Sequence, residues 1–109
     1  MSLRQQQTEF ARLVPRLIGK AFELGFEVAL GDAFRDPRVH GAWGVKQSYS
    51  EAKSFHKRKL AIDLLLFKDG KYLTHTEDYR PLGEWWVSVG GTWGGNFKRK
   101  DGNHFSWGE

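Results

Sequence analysis

The sequence predicts an α+β fold: a small antiparallel sheet with an N-terminal helix and a second helix packed on it. Three observations carry this. Apolar residues recur at three- and four-residue steps near the start, an unbroken apolar run LAIDLLLF is followed at once by Asp-Gly, and Leu82, Trp85, Trp86 and Val89 fall on one helical face before two glycines.

From about Gln5 to Leu24 the apolar positions Phe10, Leu13, Val14, Leu17, Ile18, Ala21 and Phe22 form an amphipathic stripe ending near Gly25. Pro15 falls inside it. Proline removes a backbone donor and clashes one turn back, so the helix either bends there or restarts with Pro15 in its first turn. Phe26 to Leu30 reads as a short strand, and GDAFRDPRVHGAWG after it, dense in glycine, proline and charge, as an exposed loop. SYSEAKSFH is expected to hold a helical turn or two, with Ser50 as cap. LAIDLLLF is expected to be a strand buried on both faces, and KDGKY its hairpin turn. EDYRPLGEWWVSVGG supplies the second helix. The tail ends in HFSW, whose alternation places His104 and Ser106 on one face and Phe105 and Trp107 on the other.

At 109 residues the chain, 1–109, is expected to form a single domain. It has no cysteine, which excludes disulfides, thiolate nucleophiles and thiolate metal sites together, so any metal must be held by nitrogen and oxygen. No apolar run approaches the roughly 20 residues that span a bilayer, and MSLRQQQTEF lacks the pattern of a secretory signal. The expectation is a soluble monomer, cytoplasmic when made, with no membrane insertion. A net charge of +4 favours a polyanionic partner without choosing among nucleic acid, anionic lipid and an acidic wall polymer.

The stretch SFHKRKLAID sets His56 and Asp63 around three consecutive cations. In one straight strand they would lie about 23 Å apart and point to opposite faces, so a shared site requires a bend with Lys57, Arg58 and Lys59 on its solvated outside. Asp63 is the more telling of the two. A charge in so apolar a strand needs compensation for its lost hydration, and a cation supplies it, with the small Ala61 leaving room beside the carboxylate. In DGNHF, left-handed conformations at Gly102 and Asn103 would fold Asp101 back towards His104. Two histidines, one carboxylate and an open position make a catalytic rather than a structural zinc site, here located at the sheet.

These residues resemble the zinc-dependent D-alanyl-D-alanine carboxypeptidase and L-alanyl-D-glutamate peptidase family, which includes bacteriophage endolysins. Ser54, His56, Ala61 and Asp63 match its Ser-x-His-(six residues)-Asp motif, and Asp101, His104 and Phe105 match its later Asp/Glu-x-x-His-aromatic motif. The likeness runs from about Phe26 onward. It implies that His56, Asp63 and His104 bind Zn²⁺, that Asp101 is the general base, and that Ser54 and Arg35 hold the substrate, with Arg38 as a competitor for the arginine's role. It implies hydrolysis of peptidoglycan stem peptides between residues of opposite chirality, after release of the enzyme to the wall. L-Alanyl-D-glutamate endopeptidase and D-alanyl-D-alanine carboxypeptidase both remain open. Two departures stand out: Lys59 occupies a position where many relatives carry glycine, and Ser106 one where they often carry glutamate.

A rival from another class is a basic nucleic-acid-binding module with Lys57 to Lys59 and Lys98 to Lys100 on phosphates and Trp93 or Phe97 stacking on bases. TWGGNF could equally form a sugar-stacking surface in a non-catalytic wall-binding module. The nucleic-acid reading accounts for neither Asp63 nor the DGNH turn, and the expectation is no nucleic-acid partner. His40 reads as a solvated loop residue, with a ligand contact as the alternative, His75 has no partner apparent from spacing, and Glu84 reads as helix surface or a loop contact.

Overall fold

The computed structural model describes residues 2–33 and 55–108, the side chain of Lys57 excepted. The expected Ser50 turn, His40, and the substrate-holding candidates Arg35, Arg38 and Ser54 lie outside the described residues.

Helix α1, Leu3–Glu23, begins in a reciprocal cap: the Gln5 backbone N–H donates to Ser2 Oγ at 3.1 Å, and the Ser2 N–H to Gln5 Oε1 at 2.8 Å. It runs through Pro15 without restarting. Pro15 and Ala11 are both exposed, so the carbonyl that loses its helical partner can bond to water. Phe10, Leu13, Leu17 and Ala21 are buried as the stripe predicts, while Phe22 is 56% exposed and stands outside it. Gly25, at φ +92°, closes the helix in the left-handed conformation.

Strand β1 is Glu27–Leu30, β2 Ala61–Lys68, β3 Lys71–Tyr72, β4 Thr92–Trp93 and β5 His104–Ser106. All pairings are antiparallel, in the order β1-β2-β5-β4, with β3 also on β2. The Asp69-Gly70 turn joining β2 to β3 has φ of 53° and 77°, the pair of positive values that a tight two-residue hairpin needs. A 3-10 turn, Thr76–Tyr79, leads into helix α2, Arg80–Ser88, which stops at Gly90.

Strand β2 is not buried on both faces as expected. Ile62, Leu64 and Leu66 point into the core with α1 and α2, whereas on the opposite face Ala61 is buried and Asp63, Leu65 and Phe67 are half-buried. That opposite face carries the chemistry. Trp86, Trp93 and Phe105 are fully buried, and the two indoles are anchored as donors, Trp86 Nε1 to the Ser106 carbonyl at 2.9 Å and Trp93 Nε1 to the Gly102 carbonyl at 2.7 Å. Trp93 is therefore a core residue and cannot stack on a base or a sugar. Among the described residues no helix is long and apolar enough to cross a membrane.

Candidate metal centre

His56 lies on a short 3-10 turn, Phe55–Arg58. The turn ends as the bend between His56 and Asp63 requires: Lys59 N–H donates to the His56 carbonyl at 3.3 Å and Leu60 N–H to the Phe55 carbonyl at 3.0 Å. These two bonds are the Schellman closure, whose penultimate residue must be left-handed. That residue is Lys59, at φ +59°, which explains why a glycine suits the position. Lys59 is exposed and Arg58 half-buried, so the outside of the bend is partly solvated.

Asp63 is placed by its strand. Its N–H donates to the Asp32 carbonyl at 2.7 Å, and its carbonyl accepts from Gly31 N–H at 2.8 Å, which prolongs the β1 pairing past Leu30. On the other side Asp63 pairs in register with His104 of β5. Adjacent antiparallel partners share a sheet face, so the carboxylate and the imidazole meet.

The structure brings together His56, Asp63 and His104, one ligand atom from each lying within 4.8 Å of the others. His56 Nε2 is 3.1 Å and His104 Nδ1 3.7 Å from Asp63 Oδ1. Tetrahedral ligands on bonds of about 2.1 Å sit about 3.4 Å apart, so the two carboxylate–imidazole distances are ones that a shared metal ion can bridge. The tautomer supplies a second fit. His56 Nδ1 is 2.8 Å from the Ala33 carbonyl, a bond only an N–H can make. In a neutral ring this leaves Nε2 as a lone pair facing a carboxylate oxygen, and two acceptors approach that closely only with a proton or a metal cation between them. Burial alone would raise the Asp63 pKa, but the neighbouring His104 and His56 imidazoles outweigh it and hold the carboxyl at about 2. The carboxylate is thus ionised and ready to bind a cation.

Asp101 is exposed on the turn before β5 and is not one of the three converging ligands. Its backbone closes that turn, with His104 N–H donating to the Asp101 carbonyl at 3.2 Å and Asp101 N–H to the Gly94 carbonyl at 2.9 Å. The expected left-handed Gly102 and Asn103 are absent: neither has positive φ. The glycine serves close packing instead, since a Cβ on Gly102 would come within 2.7 Å of Thr76 Cα.

Sequence reasoning missed the Ala33 carbonyl that orients His56 and the Phe97 ring 5.4 Å from that of His104. A backbone carbonyl leaves no mark in a sequence. Phe97 was visible only as a stacking candidate, and here its partner is the imidazole of His104. Exposed His75 begins the 3-10 turn before α2, and Glu84 lies on the helix surface 3.6 Å from Arg80.

An α+β chain with two buried imidazoles and a carboxylate converging at one sheet has a donor set able to hold a single metal ion. The family model described as D-alanyl-D-alanine carboxypeptidase matches residues 48–107, more than half of the chain, and contains every member of the cluster. The chain belongs to that peptidase family. No individual curated protein matches it.

Proposed function

We propose that the protein is a zinc-dependent peptidoglycan peptidase that hydrolyses a stem-peptide amide bond between L- and D-amino acids, as an endolysin-type L-alanyl-D-glutamate endopeptidase. The observation that carries the reading is the convergence of His56, Asp63 and His104 inside the span matching the family. The endopeptidase specificity rests on the resemblance to short phage-type members. A second reading, D-alanyl-D-alanine carboxypeptidase, is favoured by the description of the matching family.

His56, Asp63 and His104 would hold the ion, with His56 kept in the required tautomer by Ala33. Zinc in such a site acidifies water and polarises a carbonyl oxygen. Asp101, exposed on the turn that leads into His104, acts as the general base: it takes the proton released when water attacks the scissile carbonyl and returns it to the leaving nitrogen. Arg35 and Ser54 hold the substrate's carboxylate and carbonyl. The guanidinium suits bidentate carboxylate binding.

Mass spectrometry of purified muropeptides incubated with zinc-loaded protein tests this, alongside chelated and Asp101→Ala samples. A chelator-sensitive product absent with Asp101→Ala is expected, and its mass distinguishes cleavage after L-alanine from loss of terminal D-alanine. Intact muropeptides from several wall types, with folding and zinc occupancy verified, would overturn the enzyme reading.

A further inference from the structure

The β2 edge changes partner along its length. Phe67 and Lys68 pair with β3, and Ala61 to Asp63 pair with β5, but neither strand spans the interval between. Single bonds bridge it: Leu64 N–H to the Asn103 carbonyl at 3.0 Å, Leu73 N–H to the Leu66 carbonyl at 2.9 Å, and Leu66 N–H to the Tyr79 hydroxyl at 3.1 Å. The missing length of strand leaves a notch of about 200 Å³, lined by Thr74, His75, Thr76, Lys100, Asp101 and Asn103 among others.

This lining is polar and rich in donors. Lys100 contributes an ammonium, the threonines hydroxyls, Asn103 an amide and His75 an imidazole. Asp101 is the one carboxylate among the described residues of the wall. Of the nearby acids, Glu77 accepts from Arg80 Nε at 2.6 Å and also lies within the field of Lys100, and Asp78 Oδ2 accepts from the His75 backbone N–H at 3.3 Å. The notch also adjoins the candidate metal centre, because Asp101 forms part of its wall and closes the turn that delivers His104. A substrate reaching Asp101 with its scissile bond can place a neighbouring group in the notch.

We propose that this notch is a second carboxylate subsite, in which Lys100 and the surrounding donors bind a stem-peptide carboxylate beyond the one assigned to Arg35. The proposal rests on the peptidase reading above. The group it fits is the side-chain carboxylate that distinguishes a meso-diaminopimelate residue from lysine at the third stem position, so the notch selects between wall chemistries. Charge-assisted hydrogen bonds to a carboxylate are short and directional, and a ligand without the carboxylate forgoes them.

Two stem peptides differing only in meso-diaminopimelate or lysine, each cleaved by zinc-loaded full-length protein, test the proposal. The wild type is expected to favour the diaminopimelate peptide about tenfold in kcat/KM, and Lys100→Ala to bring the ratio near one. A ratio near one in the wild type, or a ratio that survives Lys100→Ala, would overturn it. A second measurement is independent of turnover: backbone ¹⁵N shifts of the metal-free protein titrated with the diaminopimelate peptide. Shifts at residues 74–76 and 100–103 that vanish in Lys100→Ala support the notch, and their absence in the wild type overturns it. Failure to cleave either peptide would count against the peptidase reading, while the shifts still decide the notch.

Discussion

Replacing Lys59 by glycine should stabilise the protein. Lys59 is the left-handed residue of the Schellman closure after His56, at φ +59°. Holding a side-chain-bearing residue there costs about 1–2 kcal/mol, because its Cβ crowds the following carbonyl oxygen. Glycine relieves that crowding but gains unfolded-state entropy worth about 0.5–1 kcal/mol. Taking the midpoints of the two ranges, the net expectation is a gain of about 0.75 kcal/mol, or roughly 3–6 °C in Tm for a domain of this size. Lys59→Ala is the necessary control, since it removes the same long side chain and keeps the Cβ. Urea denaturation of the zinc-free proteins measures the difference through the midpoint at constant m-value. A glycine variant no more stable than the alanine variant would refute the reasoning, because it would mean that the backbone at Lys59 stores no strain.

Isothermal titration at neutral pH should find one equivalent of zinc in the wild type, and His56→Ala, Asp63→Ala or His104→Ala should each abolish stoichiometric binding; full binding by any of the three would remove that residue from the ligand set. Gly94→Ala places a Cβ that overlaps the Asp101 carbonyl oxygen and comes within 2.8 Å of His104 Cβ. It should cost about 1–3 kcal/mol by overpacking and weaken zinc binding, read by thermal denaturation and titration. Tyr79→Phe removes the hydroxyl that accepts from Leu66 N–H and donates to the Leu73 carbonyl, and should cost about 1–3 kcal/mol in urea denaturation. Burial raises the Tyr79 phenol above its ordinary range. A folded pKa above the unfolded one means stability is complete below about pH 10 and is lost as pH rises further, so a pH series should show this loss in the wild type and a smaller one in Tyr79→Phe.

Much of the architecture was legible because its signals are local. The α1 stripe, the Asp69-Gly70 hairpin and the helical face of Leu82 and Trp86 each depend on a few neighbouring residues. Expectations failed where long-range packing intervened. Phe22 continues the α1 stripe in sequence, yet no element of the described fold buries it. LAIDLLLF looked covered on both sides because its composition is uniform, while only Ile62, Leu64 and Leu66 face the two helices. Gly102 looked like a left-handed turn residue, and its actual constraint is the close approach of Thr76 from another part of the chain.

For the candidate centre, the sequence alone determined the donor chemistry. Without cysteine only imidazole and carboxylate could bind a metal, and an aspartate in an apolar run had to find a compensating partner. Tertiary structure decided which donors meet. Asp63 faces His104 only because β2 and β5 pair in that register, and a one-residue slip would turn the two side chains to opposite faces. His56 presents Nε2 only because the Ala33 carbonyl, distant in sequence, binds Nδ1. A sequence names the ligands through the chemistry of their side chains, whereas register and backbone carbonyls, which set their distances and tautomers, arise only when remote segments pack.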